Sequence, residues 1–189
     1  MNEGATKAGL KDHAIIVGYG RVGELIGDQL RAQGLDFVVI EEDRRRLEEL
    51  RRQGLNAIYG DAAAAGVLEA AGVAQARILI VAIPPGMLKR RIIELARAAN
   101  PGIETAVRTN RASELAYLKS QGVGFAIMGT REVALGLLGF TLTRMGFSEK
   151  KAQSVVQEAR MSGDGAAFER ELLEATPELR EHKEPDGAA

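Results

Sequence analysis

The chain has 189 residues, of which 46% are hydrophobic and 27% are charged, a composition typical of a soluble globular protein. Its formal net charge of -1 gives no basic surface for nucleic acid, and its lack of cysteine excludes disulfides and thiolate metal sites. No apolar run approaches the roughly 18 residues of a membrane span. Residues 1–12 lack the apolar core of a signal peptide, so we expect a flexible lead-in and a cytoplasmic protein.

The segment from residue 13 to residue 42 combines an apolar run, a glycine motif, a helical pattern and a second apolar run. The first run, 14–17, is too short for a helix and predicts a buried strand. The motif Gly18-Tyr19-Gly20-Arg21-Val22-Gly23 follows, and apolar residues then recur at helical spacing. The second run ends in Glu41, 18 residues after Gly23. This is the order of the dinucleotide-binding fingerprint, and its complete context favours a nucleotide site over an ordinary turn.

The residues of this fingerprint each have a physical role in holding a nucleotide. Gly18 makes the tight turn, and Gly20 lets the backbone approach a pyrophosphate at the start of the helix. Gly23 lets the helix pack closely on its strand. The carboxylate of Glu41 accepts hydrogen bonds from ribose hydroxyls and repels a 2′-phosphate, so NADP is disfavoured. The arginines at 44–46 leave NADP open, although a solvated helix face with ion pairs explains them more simply.

Strands and helices alternate along the chain as far as residue 128. Asp43 caps a predicted helix that ends near Gln53. Further apolar runs predict strands at 55–59, 77–83, 103–107 and 123–128, with helices at 63–71, 87–99 and 113–121 between them. The alternation predicts a Rossmann-like α/β fold, a doubly wound parallel sheet of six strands in the order 3-2-1-4-5-6.

Ligands of such sheets bind outside the carboxyl ends of the strands, where the strand order reverses. Asp61 ends the third strand, where it could accept from an adenine amino group or act as a turn residue. Ile83 and Pro84 end the fourth and offer an apolar shelf to a base, while Arg108 ends the fifth and could reach phosphate. With their neighbours, the predicted site comprises Gly18, Tyr19, Gly20, Arg21, Val22, Gly23, Glu41, Glu42, Asp61, Ala62, Ile83, Pro84 and Arg108.

Residues 129–162 carry a different pattern, with two predicted helices. The first, 130–145, has apolar side chains nearly all round, so it must be buried on more than one side. We expect the Thr130–Met145 helix of a second subunit to cover it in a homodimer, rather than the last segment of its own chain. Gly146 ends this helix and Ser148 caps the next. The predicted divisions are a lead-in (1–12), a nucleotide-binding domain (13–128), crossover and dimerisation helices (129–162) and a largely disordered polar tail (163–189).

Side chains for a chemical reaction are missing from the predicted site. His13 precedes the first strand, at the opposite edge of the sheet, and His182 lies in the polar tail. None of the three tyrosines has a lysine four residues later, and no HExxH, GxSxG or metal-ligand spacing occurs. Nucleotide binding without catalysis and without a metal is therefore the simplest interpretation.

As a set, these segments resemble the nucleotide-binding domain that regulates potassium transport, called KTN, RCK-N or TrkA-N. The resemblance covers about residues 12–160. It rests on IIVGYGRVG (15–23), VVIEED (38–43), YGDA (59–62), the run AGV…AR…VAIP (71–84) and the strand that ends in Arg108. The segment at 128–134, MGTREVA, looks most similar to the cytoplasmic tail of Kef-like cation:proton antiporters of the proton-antiporter-2 group.

In that family the domain is a dimer whose bound AMP, ADP, ATP or NAD(H) biases an attached membrane pore or antiporter. The resemblance implies that Glu41 holds the ribose, Asp61 holds the adenine and Arg108 meets phosphate, as do Gly18, Gly20, Arg21 and Gly23. Other members carry an acidic pair where this chain has Pro84-Pro85, so no ligand contact is carried over there.

The implied function is a cytoplasmic regulatory domain that gates a monovalent cation (potassium)/proton antiporter. No second regulatory subdomain fits in the remaining length, which favours the antiporter-tail type, either excised or separately encoded. A small stand-alone NAD-dependent oxidoreductase and an NADH-sensing protein are the alternatives.

Overall fold

The computed structural model describes residues 10–84 and 88–162, in which strands and helices alternate. The strands are β1 (Ala14–Val17), β2 (Phe37–Glu41), β3 (Ala57–Tyr59), β4 (Ile78–Val81), β5 (Glu104–Thr109) and β6 (Phe125–Met128). The helices are α1 (Arg21–Ala32), α2 (Arg44–Arg52), α3 (Val67–Ala70), α4 (Leu88–Ala99), α5 (Ala112–Ser120), α6 (Gly129–Arg144) and α7 (Glu149–Ser162). The predicted polar tail lies outside the described residues, as does most of the predicted lead-in.

The six strands form one sheet in the order β3-β2-β1-β4-β5-β6, which confirms the predicted Rossmann-like fold. β1 lies at the centre, where Ile16 is paired in parallel with Val39 of β2 on one side and Ile80 of β4 on the other. The chain therefore winds outward from β1 in both directions. The strand order reverses between β1 and β4, and the carboxyl ends of these strands open the crevice in which ligands of such sheets bind.

The two strands that lead into the glycine turn and Glu41 are buried along their whole length. Every residue of β1 and β2 is buried, and Ile15, Ile16, Val38 and Val39 have no exposed surface. A parallel strand with helices on both of its faces has no solvent-facing side, which explains why both strands read as unbroken apolar runs. This packing fixes where the loops after β1 and β2 emerge.

The structure corrects the length of one predicted helix. The helix predicted at 63–71 is only α3, Val67–Ala70, and a turn precedes it. The N–H of Ala64 donates to the carbonyl oxygen of Asp61 at 2.9 Å, and Gly66 has a φ of 80°. A left-handed glycine does not continue a helix, so alanine-rich composition overstated the helix by its first turn.

The described residues form two compact units. The first contains the residues up to 108 together with 122–126, and it holds β1 to β4 and nearly all of β5. The second contains 109–121 and the chain from residue 127 onward, including all of α5, α6 and α7. The predicted domain boundaries stay predictions. Within the described parts of the chain, no helix is both long and apolar enough to cross a membrane.

The helices α6 and α7 pack against each other in the second unit. Arg131 donates to the carbonyl oxygen of Ala159 at 2.5 Å, and Arg160 pairs with Glu132 at 2.9 Å, so the start of α6 is tied to the end of α7. Gly146, with a φ of 95°, lies in the turn between them. This position agrees with the predicted break in the helical pattern.

One face of α6 carries large apolar side chains that the described residues leave exposed. Val133, Leu137 and Phe140 are 65%, 64% and 60% exposed, and their spacing puts them on one side of the helix. In contrast, Leu135 is buried. A row of exposed apolar side chains of this kind is typical of a surface that binds a partner. The homodimer through α6 remains a prediction.

Candidate functional site

A turn joins β1 to α1, and its contacts show why it needs glycine. Gly18 has a φ of 84°, and a Cβ there would lie 2.7 Å from Cγ2 of Ile83. A Cβ at Gly23 would lie 2.2 Å from the carbonyl oxygen of Gly18, because α1 packs directly on the turn. These contacts agree with the predicted roles of Gly18 in the tight turn and of Gly23 in the close packing of helix and strand.

Gly20 differs from the other two glycines because its missing side chain leaves open space. It caps the amino end of α1 with ordinary extended backbone angles, φ −78° and ψ −167°. A Cβ there would meet only Nη1 of Arg46, at 3.9 Å. The first N–H groups of a helix have no acceptor inside it and carry partial positive charge. The amino end of α1 therefore offers an anion an unobstructed approach.

Glu41 connects the second strand to the glycine turn. Its Oε2 accepts a hydrogen bond from the N–H of Tyr19 at 2.9 Å, and its Oε1 accepts from the N–H groups of Glu42 and Asp43, both at 3.0 Å. Nη1 of Arg46 lies 3.9 Å from Oε2. A carboxylate has about four lone-pair positions, so Oε2 retains capacity to accept from a hydroxyl. Glu41 thus fixes the turn while facing the same crevice.

A cavity of about 820 Å³ lies at the carboxyl ends of the central strands. Its size falls within the range of roughly 300–1,000 Å³ that small-molecule sites occupy. The lining residues are Val17, Gly18, Tyr19, Gly20, Arg21, Val22, Ile40, Glu41, Glu42, Arg46, Gly60, Ala62, Ala82, Ile83, Pro84 and Arg108. The structure therefore gathers all of the predicted site residues except Gly23 and Asp61 around one cavity.

The two predicted residues outside the lining have structural roles. Gly23 lies outside the cavity, where its lack of a side chain allows α1 to contact the turn. Oδ1 of Asp61 accepts a hydrogen bond from the N–H of Ala63 at 2.7 Å, which is the turn role that the sequence left open. The proposed adenine contact of Asp61 stays a prediction.

Three arginines line the cavity: Arg21, Arg46 and Arg108. Arg21 is exposed, Arg108 is half-buried, and the side chain of Arg46 is 48% exposed. A guanidinium group presents a planar fork of donors that matches phosphate oxygens. Among the described lining residues, these three arginines face two carboxylates, those of Glu41 and Glu42, so the balance of charge favours an anionic ligand.

The sequence pattern did not predict Arg46 as a site residue, because it indicated a solvated helix face there. The helix α2 begins at Arg44, three residues after Glu41, so its first turn lies at the edge of the sheet where the cavity lies. Two other arginines of α2 pack on β3 instead. The guanidinium carbon of Arg44 lies 4.8 Å from the ring centre of Tyr59, and Arg51 donates twice to the carbonyl oxygen of Ala57. The position of Arg46 in the first turn of α2, close to the end of β2, was the feature of the sequence that could have indicated its place in the site.

Tyr19 contributes its backbone to the site while its ring is buried outside it. The ring stacks on Phe37 with centres 6.5 Å apart, and its hydroxyl has no hydrogen-bond partner within the described residues. Burial raises the pKa of Tyr19, and the charges of Asp28 and Glu24 raise it further. The ring is therefore a packing element that anchors the glycine turn.

His13 lies away from the cavity and has a structural contact. The residue is 2% exposed, and its Nε2 lies 2.8 Å from the carbonyl oxygen of Ala71. This agrees with its predicted place before β1, at the amino edge of the sheet. Across 10–84 and 88–162, no cluster of three or more histidine or acidic residues has the arrangement of a metal site.

A model of the TrkA-N domain matches residues 14–129, which is more than half of the chain. The chain belongs to the TrkA-N domain family. The part matched contains the whole lining of the cavity, so the resemblance predicted from the motifs is confirmed.

Two relatives of this TrkA-N domain carry transport names. The "Putative cation/proton antiporter YbaL" of Escherichia coli is 42% identical over 127 residues, 67% of this chain and 23% of the relative. The "Glutathione-regulated potassium-efflux system protein KefC" of Cronobacter sakazakii is 32% identical over 139 residues, 74% of this chain and 22% of the relative. The chain therefore spans less than a quarter of the length of these curated relatives.

Two solved structures share the fold. The TrkA-N domain of the inner membrane protein YbaL from Escherichia coli has 40% identity and a TM-score of 0.68, covering 70% of this chain and 98% of that one. The Kef CTD of Shewanella denitrificans in AMP bound form has 28% identity and a TM-score of 0.72, covering 82% of this chain and 94% of that one. The second likeness covers more of this chain than the domain model does.

Proposed function

We propose that this TrkA-N domain binds an adenine nucleotide (AMP, ADP or ATP) or NAD(H) and thereby regulates a monovalent cation/proton antiporter, without catalysing a reaction. The observation that carries the proposal is the meeting of three kinds of contact in one cavity. The open amino end of α1 suits a phosphate, Oε2 of Glu41 suits a ribose hydroxyl, and the apolar surface of Ile83 and Pro84 suits a base.

AMP is the first ligand to test. The Kef CTD from Shewanella denitrificans is described in an AMP bound form, and it is similar to 82% of this chain. Arg21, Arg46 and Arg108 line the cavity and would meet the phosphate. NADP remains disfavoured, because its 2′-phosphate would approach the carboxylate of Glu41. The guanidinium of Arg46, 3.9 Å from that carboxylate, reduces this repulsion without removing it.

The transport partner is proposed from the relatives. Both curated relatives carry transport names, and this chain matches less than a quarter of each, so the remainder of a comparable protein would supply the membrane domain. In that arrangement the domain lies at the cytoplasmic face of the inner membrane.

The proposed mechanism links the cavity to dimerisation through α6. A nucleotide shifts a transporter between states only if it binds the domain more tightly in one of them. The exposed row of Val133, Leu137 and Phe140 is the surface through which two copies would meet. We propose that bound nucleotide favours one arrangement of the two α6 helices and that the membrane domain responds to the difference.

The test is calorimetric titration of the purified chain with AMP, ADP, ATP, NAD and NADH. We expect Gly20→Val to abolish binding, because the new side chain would occupy the space over the amino end of α1 while the backbone keeps ordinary angles. Glu41→Ala should also abolish binding by removing the ribose acceptor. Gly20→Val should remain a folded dimer in light scattering, whereas Glu41→Ala should also lose stability because three backbone N–H groups donate to this carboxylate.

The matched control is Gly102→Val, which introduces the same side chain outside the cavity. A Cβ at Gly102 would meet only Oδ1 of Asn100 at 3.7 Å, so its nucleotide affinity should equal that of the wild type. Wild-type affinity in Gly20→Val would place the nucleotide elsewhere. A wild-type protein that binds none of the five nucleotides would refute the proposed function itself.

A different measurement distinguishes the proposed regulatory domain from the alternative, an NAD-dependent oxidoreductase. With NADH and simple carbonyl acceptors, the proposed domain leaves the nicotinamide absorbance unchanged over hours. Turnover that Gly20→Val abolishes would favour the rival.

A further inference from the structure

The side chain of Lys89 is fully buried, and the nucleotide contacts proposed above do not use it. Lys89 has 0% exposed surface and is the largest side chain buried to that degree among the described residues. Lysine is almost never fully buried unless its ammonium group has a partner. The residue also stands in the first turn of α4, where the helix dipole disfavours a cation. A purely space-filling position would favour leucine or methionine there.

The ammonium group of Lys89 reaches across to the end of β5. Its Nζ donates to the carbonyl oxygen of Arg108 at 2.6 Å, a contact between residues 19 apart in the chain. Hydrogen bonds from charged donors are stronger than neutral ones, and burial of the donor excludes competing water. The hydrogen bond from Lys89 therefore fixes the orientation of the peptide group that follows Arg108.

Arg108 is the residue whose orientation this contact controls. Its half-buried side chain lines the cavity at the carboxyl end of β5. A fixed carbonyl group fixes ψ of its residue, and with it the direction in which the Cα–Cβ bond leaves the strand. A guanidinium fork must be held to within a fraction of an ångström to donate two good hydrogen bonds to a phosphate.

From this geometry we propose that Lys89 is a positioning residue, which aims Arg108 at the phosphate of a bound nucleotide and makes binding depend on that phosphate. The inference rests on the proposed function, since it assigns a specificity role within the same cavity. Lys89 does not line the cavity and does not itself meet the ligand. It acts through the backbone of Arg108.

The experiment compares AMP with adenosine, which lacks the phosphate, as calorimetric probes of the purified chain. The variant Lys89→Met keeps most of the apolar stem and removes the ammonium group. We expect it to weaken AMP binding about tenfold, in line with the energy of a charge-assisted contact, while adenosine affinity stays unchanged. The control Arg91→Met removes a charge from the exposed face of the same helix and should leave both affinities unchanged.

A double-mutant cycle tests whether Lys89 acts through Arg108. Arg108→Gln alone should also lower the ratio of AMP to adenosine affinity. In the Arg108→Gln background, Lys89→Met should not lower this affinity ratio further, because the guanidinium group that Lys89 positions is already absent. A role confined to stability would lower both affinities or neither, and its effect would persist without the Arg108 guanidinium.

Three results would overturn the inference while leaving the proposed function intact. They are an unchanged affinity ratio in Lys89→Met, an equal loss for adenosine, and full additivity with Arg108→Gln. If Lys89→Met fails to fold in circular dichroism, Lys89→Leu replaces it, since leucine also fills the apolar space and cannot donate to the carbonyl group of Arg108. Failure of wild-type protein to bind AMP at all would instead refute the proposed function.

Discussion

The contacts of Glu41 predict a loss of stability from the substitution Glu41→Gln. Glutamine keeps one oxygen for the N–H groups of Glu42 and Asp43, but it turns an NH₂ group towards the N–H of Tyr19. Losing one charge-assisted hydrogen bond and weakening two others costs about 3–5 kcal/mol of unfolding free energy. For a chain of this size, that lowers Tm by about 6–20 °C.

Thermal unfolding followed by circular dichroism, without nucleotide, measures this effect. The neighbouring Glu42→Gln is the matched control, because Glu42 is exposed and the same chemical change there should stay within about 0.5 kcal/mol. A Tm for Glu41→Gln within 2 °C of that control, taking about 2–4 °C per kcal/mol, would contradict the claim that this carboxylate holds the glycine turn. The same result would mean that Glu41 is free to serve the ligand alone.

Two further predictions concern residues beside the cavity. Tyr19→Phe removes a buried hydroxyl that has no hydrogen-bond partner within the described residues. The free energy of unfolding should therefore rise by about 1 kcal/mol and Tm by about 2–4 °C. A lower Tm would show that the hydroxyl is hydrogen-bonded. Asp43 caps α2, and the hydrogen bond from the N–H of Arg46 lowers the pKa of its carboxyl below the usual 3.8. Its stabilisation is therefore present at pH 7 and is lost as the pH falls through the lowered pKa. Asp43→Ala should melt below the wild type at pH 7, and this difference should shrink as the pH falls below 3.8; a deficit that does not change with pH would contradict the assignment.

The site combines two demands on the same few residues. The glycine turn must be rigid to present N–H groups to an anion, and Glu41 provides that rigidity through Tyr19. In the proposed site, the same carboxylate also keeps an oxygen for a ribose hydroxyl. Because both demands fall on one side chain, substitutions of Glu41 affect folding and binding together. Gly20→Val is the cleaner test of function, since the structure gives Gly20 no packing role beyond leaving space.

The fold and most of the cavity were predictable because their signals are local. Buried parallel strands appear in the sequence as short apolar runs, and glycines with forced backbone angles mark the turns between elements. The carboxyl ends of parallel strands meet at one edge of a sheet, so Gly18, Glu41, Ile83 and Arg108 could be assigned to one site from their places in the chain. The structure confirms the sheet order and brings these residues around one cavity.

Only the tertiary structure showed which partner each polar side chain contacts. Arg44, Arg46 and Arg51 share one short helix, yet the first packs on a tyrosine, the second lines the cavity and the third binds a backbone carbonyl group. The role proposed for Lys89 was equally hidden, because Lys89 lies on a helix and its partner lies 19 residues away on a strand. A hydrophobic pattern records burial along an element, whereas the partner of a charged group depends on distances between elements. Only the packed sheet fixes those distances.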